Sequence, residues 1–549
     1  MIFIIFISAL GLRLYTINKY DLWYDEYYTD GYSFEYQCIK AESYGASVPV
    51  YFLDRVIKDY HPPFYYLLVY IYSFFFGPGK SLRILSVIFS MLSLGVFYKL
   101  SRVFLKPHER LYALFILACN PFHIWYAQEA RVYAMAGFFA ILALYLYIQA
   151  LKMNTFSYWS LFSISSIFAL YTSPYFSFFL LISGIFLFFK NNQQYARKWI
   201  VSMVIILMAY FPMIYKYMHQ FKNVDNDFFW VPVLSFKTLC ITFAVFSLGY
   251  SAMLIQYYIG FVLFAALFMY GMYSFYYVDK KDTVMLLAFL LFPIIAAYGI
   301  SKVLKPIYID RQLLIFSPLC YLFIAHGIGA IKRKKYQIFV FICVAVLMIR
   351  ALMNYYDGFM LSSETAGIIR PSEQLNEVFV GVHPKVNHSD LIDYVKKEFR
   401  EGDILAVTDT QMYRILLGYL RDVRYYMPIE IYYYIFCWES VPGPELKVIM
   451  RGNDIAMIQE ANSNAVEHGL YYVVYDREKK NEKIAKLQED IRLPKRIWLL
   501  SSTWEKDSSR SPNYFMVAER LVDKYQYRNE FLKSRNNECF YVELFVKQD

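Results

Sequence analysis

The stretch "DLWYDEYYTD" at 21–30 sets Asp25 beside Glu26 among tyrosines and Trp23. Adjacent residues diverge by about 100° on a helix and point oppositely on a strand, so these acids cannot grip one atom as a symmetric dyad. One faces a reaction and the other supports it. A carboxylate packed on Trp23 and Tyr24 is partly desolvated, which raises its basicity and suits a general base. Glu26 has two readings of equal weight, a second catalytic acid or a cap on a helix N-terminus. The turns "YAQEARVY" at 126–133 and "SKVLKPIYIDRQ" at 301–312 supply cations. Arg131 and Arg311 suit phosphate, because a guanidinium makes bidentate bonds and keeps its charge when half-buried; Lys302 and Lys305 are looser point charges. His61, in "YHPPF", is a further donor to a phosphate oxygen. Each has a plainer reading: Arg131 paired with Glu129, Arg311 paired with Asp310, and His61 as a structural histidine.

These groups matter together only if the chain brings them to one compartment. The sequence has 549 residues, 58% hydrophobic and 20% aromatic, with a formal charge of +10. That composition describes a membrane protein. Runs able to cross roughly 30 Å of hydrocarbon recur up to about Met353. Three basic loops, Lys99 to Arg110, Lys190 to Lys198 and Lys332 to Lys335, lie between them and belong in the cytoplasm by the positive-inside rule, so the charge reports orientation and not nucleic acid. The seven cysteines form no CxxC pair and show no metal spacing. Cys437 and Cys539 leave a disulfide or two free thiols open. "FFFGPGKS" at 74–81 ends like a phosphate-binding loop but has Phe74 where that motif needs Gly, and no strand precedes it.

Parity between the basic loops requires two apolar segments not to cross. The shortest, 237–250, is expected to be interfacial or re-entrant, and 62–76, opening on Pro-Pro and rich in Tyr, is expected to be a juxtamembrane helix. The count is then eleven crossings. Residues 1–356 form the membrane domain, and residues 357–549 form a soluble domain outside the cytoplasm. Asp25, Arg131 and Arg311 fall on one side of the membrane. From Ser389 helices alternate with strands "DILAVT", "VRYYM", "LYYVVYD", "RIWLLSS" and "FYVELFV", with a charged helix expected over 476–490. Alternation of this kind argues for an α/β fold with a partly parallel sheet.

The acidic pair, "HPPFYYLLVYIYSFFFG", "SLRILSVIFSMLSLGVFYKLSRVF", "NPFHIWYAQEARVYAM" and "DRQLLIFSPLCYLFIAHGIG", in that order, resemble the GT-C glycosyltransferases. The likeness is greatest to the branch holding protein O-mannosyltransferases and lipid A aminoarabinose transferases. It implies a membrane glycosyltransferase that takes a sugar from a polyprenyl-phosphate carrier to an acceptor outside the cytoplasm, with membrane lipid as its setting and no nucleic-acid partner. Asp25 would be the general base, Glu26 its catalytic neighbour, and Arg131, Arg311, His61, Lys302 and Lys305 the phosphate ligands, with Tyr24, Glu129 and Tyr308 against the substrate. No cofactor is required by this reading. A divalent metal on Asp25, Glu26 and Glu129 is left open, although the DxD pairs of oligosaccharyltransferases are missing. His61 departs from the Lys that aminoarabinose transferases tend to carry before Pro-Pro. The alternative is a lipid or sugar transporter or flippase, which would place ionisable residues near the bilayer midplane and show internal repeats.

Overall fold

A computed structural model of the chain describes residues 1–43, 45–59, 61–188, 195–222, 235–304 and 307–361, together with seven strands and three single residues between 379 and 547. The first helix, α1 (Ile2–Leu14), leads into a stretch carrying α2 (Tyr24–Asp30), α3 (Phe34–Ser43), α4 (Val48–Lys58) and α5 (Phe64–Phe76). Then follow α6 (Arg83–Phe104), α7 (Pro107–Cys119), α8 (Pro121–Ala127), α9 (Tyr133–Met153), α10 (Phe156–Leu170), α11 (Phe176–Ile185) and α12 (Ala196–Lys222). The membrane part closes with α13 (Phe236–Leu248), α14 (Leu254–Val278), α15 (Lys280–Val303), α16 (Asp310–Leu313), α17 (Ser317–Gly329) and α18 (Lys334–Tyr356). Among the described residues, 7 helices are long and apolar enough to cross a membrane.

At the centre stands the α16–α17 segment, whose apolar window is 89% buried. It packs tightly because glycines let two backbones meet. A Cβ on Gly327 would stand 2.2 Å from the Leu267 carbonyl oxygen of α14, and one on Gly271 would stand 1.9 Å from that of Phe323. In hydrocarbon, close approach of this kind replaces the hydrophobic drive as the source of helix association. Gly327→Ala is therefore expected to cost about 1–3 kcal/mol by overpacking, read as a lower thermal midpoint in detergent. Gly11→Ala is the control, since its new methyl group meets nothing within 4 Å.

Helix α5 has both flanks tied to one short stretch. Before it, Asp59 accepts hydrogen bonds from the Tyr28 and Tyr32 hydroxyls. Along it, the Ser73 hydroxyl accepts from the Phe34 amide at 2.7 Å, and just beyond it the Gly79 amide donates to Asp30 at 2.7 Å. These bonds hold α5 and its flanks against the 28–34 stretch. In α13 the Thr242 hydroxyl is 2.8 Å from that of Tyr308, and three residues past its end the Ser251 carbonyl accepts from the Asn354 side-chain amide at 2.9 Å, in the last turn of α18.

The tail contributes a seven-stranded sheet in the order β4-β3-β2-β1-β5-β7-β6, built from β1 (Ile404–Val407), β2 (Glu430–Phe436), β3 (Leu470–Asp476), β4 (Asn481–Lys486), β5 (Arg496–Ser502), β6 (Tyr525–Arg528) and β7 (Phe540–Lys547). Strand β1 runs parallel to β2 and β5, and the remaining pairs are antiparallel. The helix expected over 476–490 is corrected: 481–486 form β4, in register with β3 from Tyr471↔Lys486 to Asp476↔Asn481. The strand expected at "VRYYM", the helices expected between the strands, and Cys437 and Cys539 lie outside the described residues.

Candidate active site

The site is assembled around a buried ion pair that the sequence does not announce. Arg83, opening α6, sends Nε and Nη2 to the two oxygens of Glu26 at 2.8 and 2.6 Å. The same guanidinium donates to the carbonyls of Ile17, Tyr20 and Asp21 at 2.6, 2.9 and 2.8 Å. It thereby fixes the chain's exit from α1 against the start of α6. Glu26 also accepts from the Ala130 amide at 2.7 Å and, as the third residue of α2, from the Trp23 amide at 3.3 Å. Of the two expectations for Glu26, catalytic acid or helix cap, its geometry matches a cap: it is fully buried, bound to Arg83 and to two backbone amides.

With Glu26 turned inward, its neighbour must turn outward. Asp25 Oδ2 stands 3.6 Å from Arg131 Nη2 and 3.6 Å from Arg311 Nη1, with the carboxylate 20% exposed. Arg131 also donates to the Asp25 carbonyl at 3.1 Å and to the Thr29 hydroxyl at 3.3 Å, while its buried Nε–H meets no acceptor. Burial works against the Arg131 charge. Asp25 outweighs it, with help from Tyr66 and Tyr133, and the guanidinium's pKa is raised well above its ordinary value. The Arg311 guanidinium lies 5.7 Å over the Tyr133 ring, so this tyrosine is shared by both cations. Three residues separated by up to 286 positions (311 − 25) thus meet at one edge of the helix bundle.

The other expected ligands are distributed differently. His61 Nδ1 is 2.8 Å from the Asp59 carboxylate, a neighbour that works against a phosphate ligand. Glu129 is buried and accepts from the Trp125 indole at 2.7 Å. Tyr308 is buried with its hydroxyl on Thr242, behind Asp310, away from an open surface. Lys302 is exposed, its ammonium 5.9 Å from the Tyr298 ring. Lys305 and the Tyr24 side chain lie outside the described residues.

Asp25, Glu26 and Glu129, the acids on which a divalent metal was left open, each have partners of their own. One stands between two guanidiniums, one is bound to Arg83, and one holds an indole. Among the described residues there is no group of three His, Cys, Asp or Glu side chains placed to hold a metal. Four residues of the site had no assigned role in the sequence: Arg83, Asp59, Tyr66 and Tyr133. The signals were there, in an Arg at the start of an apolar run, an Asp two residues before His61, and a Tyr two residues after Arg131.

No family model and no curated protein sequence matches the chain. Among solved structures it is similar to ArnT from Cupriavidus metallidurans bound to undecaprenyl phosphate, with a TM-score of 0.54 at 11% identity over 98% of this chain and 97% of that one. The archaeal oligosaccharyltransferase AglB from Archaeoglobus fulgidus, in complex with an inhibitory peptide and a dolichol-phosphate, is a weaker likeness: TM-score 0.46, 12% identity, 97% of this chain and 79% of that one. At such identities a likeness shows the fold alone. The chain shares the fold seen in ArnT from Cupriavidus metallidurans.

Proposed function

We propose that the chain is a membrane glycosyltransferase that moves a sugar from a polyprenyl-phosphate carrier to an acceptor on the extracytoplasmic side. The observation that supports this most is Asp25 held between Arg131 and Arg311. Two guanidiniums and one carboxylate carry a net single positive charge, suited to a phosphodiester anchored in the bilayer beside them. In the reaction, the acceptor oxygen forms a bond to the sugar's anomeric carbon while the bond from that carbon to the phosphate oxygen breaks. Asp25 takes the acceptor's proton, and the arginines meet the extra charge left on the phosphate. Lys302, in the last turn of α15, and Lys305, three residues on in the sequence, are further phosphate ligands of this reading. The crossings in this reading are α1, α6, α7–α8, α9, α10, α11, α12, α14, α15, α16–α17 and α18, eleven in all, which puts residues 357–549 outside the cytoplasm as an α/β domain.

The test uses the purified full-length chain in nanodiscs with a labelled polyprenyl-phosphate sugar. Binding of polyprenyl phosphate and loss of label from the carrier are expected. Arg131→Gln and Arg311→Gln should each weaken polyprenyl phosphate about 10- to 100-fold, the range of a hydrogen bond to a charged group. A protein that neither binds polyprenyl phosphate nor releases the sugar would end this reading.

A further inference from the structure

Beside the arginine cleft, and separated from it by Tyr66, lies a second polar group that the reaction above leaves unused. Asp59 is buried in the connection between α4 and α5. It accepts the Tyr28 and Tyr32 hydroxyls on one oxygen, and the His61 amide (2.8 Å) and ring Nδ1 (2.8 Å) on the other. Burial alone would raise its pKa, but His61 and the two tyrosines overcome that and hold the carboxyl well below the usual range. An ionised carboxylate can only accept. Nδ1 therefore carries a proton toward Asp59, and Nε2 is left as the outward polar atom of the ring.

The His61 side chain is 42% exposed, against 2% for Asp59, so the pair is a buried orienting acid with an accessible ring. The ring stands 5.5 Å from that of Tyr28 and 6.0 Å from that of Tyr66. Tyr66 in turn is within electrostatic reach of Arg131 and Asp25. Tyr28 sits three residues after Asp25 on α2, so the aspartate and the histidine flank a common helix.

We infer that His61, aimed by Asp59, forms the acceptor subsite, and that the acceptor is a polyhydroxylated molecule, a saccharide in chemical class. This rests on the transferase reading above. In that reaction the reacting hydroxyl gives its hydrogen to Asp25, so Nε2 meets a second hydroxyl of the same acceptor. A sugar ring spreads hydroxyls over the width of an aromatic side chain, and its C–H faces suit the Tyr28 and His61 rings. A serine or threonine side chain offers one hydroxyl, which Asp25 takes, and leaves only a backbone N–H or water for Nε2. The subsite also excludes anions, because Asp59 adds its charge where a phosphate would have to lie.

The experiment keeps the full-length chain in nanodiscs and separates three readouts: affinity for polyprenyl phosphate, release of labelled sugar to water, and transfer to alkyl glycosides offered beside a Ser/Thr peptide. His61→Leu is expected to leave the first two within about twofold and to raise KM for the glycoside about tenfold or more, the usual effect of losing one hydrogen bond at a binding site. Deleting one acceptor hydroxyl at a time should find a monodeoxy glycoside that loses the same factor with the unaltered protein and nothing further with His61→Leu. The deoxy series needs no variant, so it decides the matter even where His61→Leu folds poorly. Weaker polyprenyl phosphate binding in His61→Leu would overturn the inference by making His61 a donor ligand. Preference for the peptide, with KM unaltered in the variant, would overturn it as well. Failure of the unaltered protein to bind polyprenyl phosphate or to release sugar strikes the transferase reading instead.

Discussion

Asp25→Asn is expected to lower sugar transfer by about 10²- to 10⁴-fold, the range associated with one proton-transferring group, while polyprenyl phosphate binds more tightly than before. The two effects have one source. The Asp25 carboxylate is both the proton acceptor of the proposed reaction and the counter-charge to Arg131 and Arg311, each 3.6 Å away. Asparagine keeps its shape, cannot accept the proton as a base, and stops competing with the donor's phosphate for the two guanidiniums. A residue that merely held the arginines in place would show the opposite pattern, because its loss would disorder them and weaken the anion. Steady-state transfer and equilibrium binding of polyprenyl phosphate, measured on the same nanodisc preparation, separate the two. Unaltered turnover, or lost activity together with weaker binding, would remove Asp25 from the chemistry.

The parts of this site that were legible in the sequence are those set by residue type and membrane side. Residue type marks the acid and the two arginines, and the basic loops between the apolar runs lead to the expectation that their turns share a side. In the structure Asp25, Arg131 and Arg311 meet. Neighbours across the fold were not legible. That Glu26 diverges from Asp25 follows from helix geometry, but that it meets Arg83, 57 positions on, depends on the packing of α2 against α6. His61 was read without Asp59 because two residues apart is an uninformative spacing until the chain turns at Pro62 and brings ring and carboxylate to 2.8 Å. The run 481–486 reads as a charged helix by composition, yet the open edge of β3 offers its backbone a ladder, and pairing outweighs propensity. Gly271 and Gly327 lie in apolar runs with nothing in the sequence to mark them, and only the crossing of α14 with α17 gives them a purpose.

The largest stability effect should come from Glu26→Ala. Removing one partner of a buried ion pair leaves the other as an uncompensated charge, at a cost of about 3–5 kcal/mol. That is a large share of the roughly 5–15 kcal/mol by which domains are folded. Little folded protein, or a sharply lower thermal midpoint in detergent, is expected. Many buried pairs can be replaced by two apolar residues of similar volume with no loss. This one should resist that replacement, because Arg83 also supplies the donors for the Ile17, Tyr20 and Asp21 carbonyls, and Glu26 also receives the Ala130 amide. In a Glu26→Met/Arg83→Met double variant those backbone groups lose their partners inside the protein, and each unsatisfied buried group costs about 1–3 kcal/mol. The double variant should therefore be no more stable than Glu26→Ala, and any folded fraction should transfer sugar poorly, since the Ala130 contact positions the turn that carries Arg131. Near-native stability in the double variant would show that the pair is an isolated one and that the loop, α6 and the Arg131 turn are held together by something else.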